Sequence, residues 1–175
     1  MKPNLKTILF LSLLYFLLTP LLVLGQKRTE QIPKAIESAL DKRFPGWKLA
    51  EVSEEIRQFL MQHSADARPN LIRGDFDGNG QLDYAILVIH GPTTNLQQSA
   101  VGFLRKGNRF KLYVLETNPA SPARYLLLAK SKTTGHDFHA VGNFTYANDS
   151  IELFGPHHLS YIYKNGKFKF VLRID

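Results

Sequence analysis

Cysteine is absent from the 175-residue chain. That excludes a disulfide scaffold, a cysteine nucleophile, a thiolate metal site and a cysteine-linked lipid anchor. Several catalytic signatures are missing as well. There is no G-x-S-x-G elbow, no phosphate-binding glycine loop and no dinucleotide fingerprint. The histidine spacing matches no helical zinc motif such as H-E-x-x-H. No segment of 20 to 50 residues repeats, which removes solenoids and propellers built from sequence repeats. What remains is ordinary globular composition, 44% apolar and 21% charged, so neither disorder nor a fibrous fold is expected.

The first 25 residues stand apart. Lys2 and Lys6 precede an apolar run from Ile8 to Leu18 that only Ser12 interrupts, and Val23 and Gly25 stand at the minus-three and minus-one positions of a cut before Gln26. A basic start, an apolar core and small residues near the end describe a secretory signal peptide over residues 1–25. The rival is an N-terminal membrane anchor through residues 8–25. As a helix that segment would span about 27 Å, close to a bilayer core of roughly 30 Å. Pro20 opposes a continuous helix, because it removes a hydrogen bond and crowds the preceding turn. The expected product is exported, periplasmic or secreted, and tethered to a membrane only if the segment stays uncleaved. It has the look of a small bacterial envelope protein.

Residues 26–175 are then expected to form a single domain, long enough to bury a core. Apolar residues in Pro33–Phe44 and after Ser53 fall at helical spacing. Further along the period changes. Leu82–His90 is apolar on both faces, which predicts a central strand. Ala100–Leu104 with Phe110–Glu116, and Leu159–Lys164 with Lys167–Ile174, read as hairpins through Gly107-Asn108 and Asn165-Gly166. Tyr125–Lys130, Phe138–Tyr146 and Ser150–Phe154 are further strand candidates. The order predicts an α+β fold: two N-terminal helices packed on a mostly antiparallel sheet of about seven strands.

One segment carries chemistry, Gly74-Asp75-Phe76-Asp77-Gly78-Asn79-Gly80-Gln81-Leu82-Asp83. Asp75, Asp77 and Asn79 alternate, so their oxygens can converge in a tight loop. Gln81 can add its backbone carbonyl and Asp83 a carboxylate. Calcium prefers six to eight hard oxygens, and such a loop supplies them. The five expected metal-site residues are therefore Asp75, Asp77, Asn79, Gln81 and Asp83. The first half is similar to an EF-hand loop, but Ile86 stands where that loop needs a glutamate. The fuller string, with Asp83-Tyr84-Ala85-Ile86-Leu87-Val88 after it, resembles the calcium loop of FG-GAP/VCBS-type repeats. The resemblance covers about fifteen residues. It implies a Ca2+ ion held between two strands and completed by Asp83. In that family the loop recurs around a propeller; here it occurs once, so no propeller is expected.

The function expected from these features is a non-enzymatic binding or interaction module with a structural calcium site and a protein or envelope partner. The alternative is a secreted or periplasmic hydrolase with its site in the Gly91–Ser99 and His136–His139 loops. No catalytic residue can be assigned to it. His136, Asp137, His139, His157 and His158 could also meet in a transition-metal site. The chain carries 22 basic against 15 acidic residues, a net charge of +7. Alternation already explains Lys167, Lys169 and Arg173 as a solvated strand face, and no nucleic-acid module accompanies them, so nucleic acid is not expected as a partner. Intact-mass analysis of the exported protein should show a chain beginning at Gln26. A full-length mass in the membrane fraction would establish the anchor instead.

Overall fold

The computed structural model describes residues 32–63, 68–132, 134–137 and 142–173. The expected signal peptide lies outside the described residues, as do His139 and Ile174. Helix α1 (Lys34–Arg43) begins as Pro33 allows, with its carbonyl accepting the Ile36 and Glu37 N–H groups at 2.8 and 3.1 Å. It buries Ile36 and Leu40 completely and stops before Pro45-Gly46. Strand β1 (Lys48–Leu49) follows, then helix α2 (Glu54–His63). The Ser53 hydroxyl accepts the Ile56 N–H at 3.4 Å, a weak N-cap. Of the apolar line expected on α2, Leu60 is buried while Phe59 is more than half exposed. Among the described residues no helix is long and apolar enough to cross a membrane.

The other regular elements among the described residues are strands. Sheet A contains β1, β2 (Leu71–Gly74), β3 (Asp83–His90), β4 (Gln97–Lys106) and β5 (Arg109–Pro119). Strand β3 is saturated on both edges. One edge pairs with β4, and the other is shared by β1, opposite Val88 and Ile89, and β2, opposite Asp83 to Ile86. Pairing on both edges and burial of Ala85 to Val88 match its doubly apolar sequence. Sheet B has the order β11-β10-β9-β6, from β6 (Tyr125–Ala129), β9 (Ser150–Phe154), β10 (His158–Lys164) and β11 (Lys167–Arg173). A separate ribbon pairs β7 (Thr134–Asp137) with β8 (Gly142–Thr145).

This corrects the expected α+β fold of two N-terminal helices on one sheet of about seven strands. The structure is mostly β, 48% strand and 15% helix, with its helices inside the chain and its main strands in two antiparallel sheets of five and four. The physical reason lies in the connection 120–124. Pro119 ends β5, and Tyr125–Ala129 pairs with Ser150–Phe154 rather than extending the first sheet. Alternation shows which side of a strand is apolar, but not which sheet that side faces.

The two sheets share one core. Ala85, Leu87, Ala100 and Leu104 of sheet A pack with Leu126, Ile151, Leu153 and Tyr161 of sheet B. Gly102 lies at this interface, where a Cβ would stand 3.1 Å from the Phe168 ring. A register shift between Ala100 and Val101 sets Glu116 opposite Ala100 and Val114 opposite Val101. The extra residue reverses the alternation of β5 and turns Glu116 inward. There Glu116 accepts the Tyr161 hydroxyl at 3.0 Å and the Arg124 guanidinium at 2.8 Å, a polar tie between the sheets. Burial, followed by the Glu116 charge, pushes the Tyr161 pKa above its ordinary value.

On the opposite face of sheet A, His90 Nε2 lies 2.8 Å from Ser99 Oγ, which lies 2.7 Å from Thr117 Oγ1. The Phe44 ring is 4.5 Å from the His90 ring. Burial, and then the Arg43 charge, lower the His90 pKa from its usual 6.5. The unfolded chain therefore binds this proton more readily than the folded one. The stability contributed by neutral His90 is present above pH 6.5 and is lost as pH falls through its lowered folded value. Urea melts between pH 7.5 and 5 should show a smaller acid-side loss in His90→Gln than in the wild type. Parallel curves for the two proteins would refute this role.

Candidate metal centre

The acidic loop joins β2 to β3, and its two ends are neighbours because Gly74 pairs with Asp83. Within it, one oxygen each from Asp75, Asp77 and Asp83 lies within 4.8 Å of the others. The backbone holds two of these carboxylates in place. Asp75 accepts the Asn79 N–H at 3.0 Å through Oδ1 and the Gly80 N–H at 2.8 Å through Oδ2. Asp83 is fully buried. Its Oδ2 accepts the Phe76 N–H at 2.9 Å, and its Oδ1 accepts the Arg105 N–H at 2.7 Å. Burial is the main cause that pushes the Asp83 pKa up to about 6. The Arg105 and Phe76 N–H groups oppose the shift, and the neighbouring Asp77 charge adds to it.

Asp77 differs from both. Its side chain is only 2% exposed. Oδ2 is paired with the Lys106 ammonium, whereas Oδ1 is buried with no hydrogen-bond partner. A buried carboxylate oxygen without a donor is costly unless a cation faces it.

The other two expected ligands are engaged locally. Asn79 Oδ1 accepts the Gln81 N–H at 2.7 Å, and its Nδ2 donates to the Arg105 carbonyl at 2.9 Å. Gln81 reaches the β4–β5 turn with its side chain, where Oε1 accepts the Gly107 N–H at 3.0 Å. Asn79 and Gln81 thus fasten the loop to the hairpin. The structure brings Asp75, Asp77 and Asp83 together and gives the side chains of these two residues a bracing role.

Residues far away in sequence also shape the loop. Asp149, in the turn before β9, accepts the Asp75 N–H at 3.2 Å and the Ser131 N–H at 3.0 Å, and pairs with Lys130 at 3.1 Å. Burial alone would raise its pKa; the Ser131, Lys130 and Asp75 donors hold it below the ordinary carboxylate value. Asn148 Nδ2 contacts the Phe76 carbonyl at 3.4 Å. Sequence inspection had no route to Asp149, Asn148 or Lys106, since pairing is what carries them to the loop.

Of the five residues named for a transition-metal site, only His157 and His158 have side chains among the described residues. His157 is exposed. His158 Nε2 lies 2.7 Å from Glu152 Oε2. That carboxylate also accepts hydroxyls from Tyr146, Ser150 and Ser160 at 2.6 to 3.2 Å. The side chains of His136 and Asp137 lie outside the described residues. The expected Gly91–Ser99 loop is shorter than anticipated, because β4 already begins at Gln97.

Comparison with protein-family models, curated proteins and solved structures yields no match for this chain.

Gly78 and Gly80 have φ of 72° and 74°, a region that costs a non-glycine residue about 1–2 kcal/mol. A Cβ at Gly80 would meet nothing within 4 Å, whereas one at Gly78 would stand 2.5 Å from Asn148 Oδ1. Gly80→Ala should therefore cost about 1 kcal/mol, the backbone penalty alone. Gly78→Ala should cost more, since Asn148 must also move. Urea denaturation measures both, and equal costs would show that Asn148 does not clamp the loop.

Proposed function

We propose that this chain is an exported, non-enzymatic binding module stabilised by one calcium ion at the β2–β3 loop. The observation that carries the reading is the convergence of the Asp75, Asp77 and Asp83 carboxylates within 4.8 Å, with Asp77 Oδ1 buried and unpartnered. All donors there are hard oxygens, the ligand type calcium and magnesium select. Asp75 and Asp83 each spend two acceptor positions on backbone N–H groups. A carboxylate offers about four, so both retain capacity for an ion. Asn79 Oδ1 and the Gln81 carbonyl are the remaining donors offered by the motif. The resemblance to FG-GAP/VCBS-type loops supports calcium among the hard cations, and the apolar N-terminal segment supports export. The ion would screen three neighbouring carboxylates and fix the entry into β3, which pairs with three other strands of sheet A. The partner would be a protein or an envelope surface, with a membrane contact only through an uncleaved N-terminus.

No bidentate glutamate completes the shell, so the affinity should be weak, on the order of 10⁻⁴ to 10⁻³ M, the range of extracellular modules. At a hundredfold excess over the dissociation constant, calcium should stabilise the fold by about 2.7 kcal/mol. Thermal melts with calcium, magnesium and chelator check this. Magnesium should help less, because it demands a tighter octahedral shell. Asp77→Ala should remove the calcium-dependent shift. Identical melting temperatures with calcium and with chelator would overturn the reading.

A further inference from the structure

The three carboxylates of the loop are not held alike. Asp75 and Asp83 are each fixed by two backbone N–H donors. Asp77 is held by one side chain, that of Lys106, which ends β4 and is 54% exposed. Lys106 therefore approaches the loop from solvent on a flexible four-carbon stem, while the carboxylate it neutralises is buried. The ammonium stands where a buried carboxylate needs a cation, and it leaves Asp77 Oδ1 without a partner.

We propose that Lys106 is a built-in competitor for the calcium ion, neutralising Asp77 when calcium is scarce and leaving it when calcium binds. The proposal rests on the calcium reading given above and adds how that site is regulated. An ammonium and a divalent ion on one carboxylate would lie within a few ångströms of each other, at a separation where like charges in a poorly solvated site repel strongly. The two therefore exchange rather than coexist. Because backbone fixes Asp75 and Asp83, the exchange moves one side chain and leaves the loop in place. Lys106 can leave readily, since its head returns to water. In this arrangement the lysine lowers the calcium affinity while sparing the calcium-free fold a bare buried carboxylate.

Calcium titration calorimetry of the full chain, at fixed ionic strength, tests the exchange in the wild type, Lys106→Met and Lys106→Arg. Lys106→Met should bind calcium roughly tenfold or more tightly, the scale expected when a charge-assisted contact no longer has to be broken. Lys106→Arg, which keeps the charge, should stay near the wild type. Without calcium Lys106→Met should melt below the wild type, and at saturating calcium the two should converge. Equal or weaker calcium affinity in Lys106→Met would overturn the competition while leaving the calcium site standing. No calcium uptake by either protein would overturn both. Should Lys106→Met fail to fold, acetylation of Lys106 in the wild type, followed by mass spectrometry, decides the matter. Calcium should speed it several-fold relative to exposed Lys169, and an unchanged ratio would overturn the exchange.

Discussion

The carboxylate of Asp83 is the point on which this structure turns. It opens strand β3, is fully buried, and accepts one N–H from the loop before it and one from the hairpin beside it. Taking a carboxylate out of water is expensive, and two backbone donors offset part of that cost. The remainder is visible in its pKa, raised to about 6 by burial. A charge placed there needs the loop and the hairpin in fixed relation. Removing the carboxylate would leave the Phe76 and Arg105 N–H groups without these acceptors.

Around Asp83 the two sheets are tied by polar contacts as well as by their common apolar core. Asp149 joins the turn before β9 to Asp75 across 74 residues of sequence. Glu116 joins β5 to Tyr161 on β10, and does so only because one extra residue in β5 changes which side chains face inward. The acidic loop is therefore held from both sheets at once: the sheet A hairpin braces it through Arg105 and Gly107, and the 148–149 turn clamps it from the other side. Such bracing leaves the acidic loop little freedom to rearrange.

What could be read in the sequence was local. Pro33 and Ser53 mark the two helix starts, the doubly apolar Leu82–His90 marks a strand paired on both edges, and the Asp-x-Asp-x-Asn-Gly spacing marks the loop where three carboxylates converge. Leu82 itself is exposed, just ahead of β3. What could not be read was pairing. Tyr125–Ala129 and Ser150–Phe154 alternate as strands of any sheet would, and nothing in them announces that they find each other. Nothing near Glu116 or Glu152 in the sequence identifies a partner for either. Their partners, Arg124 with Tyr161, and His158 with Ser160 and Tyr146, arrive through tertiary packing. Lys106 reads as one more cation in a basic hairpin, yet it is the residue that reaches Asp77.

Strand β11 ends the hydrogen-bonded order of sheet B among the described residues, and a strand edge left uncovered is a template on which a second chain can add a strand. Lys164, Lys167 and Lys169 are exposed along this last hairpin, so an incoming strand would have to strip water from ammonium groups to dock there. The exposed Phe170 ring beside them would otherwise make that edge adhesive. Protection of this kind is electrostatic. It is strong in dilute salt and fades as the screening length shrinks towards about 3 Å at 1 M. Any association through that edge would therefore be set by ionic strength as much as by the exposed Phe170 ring.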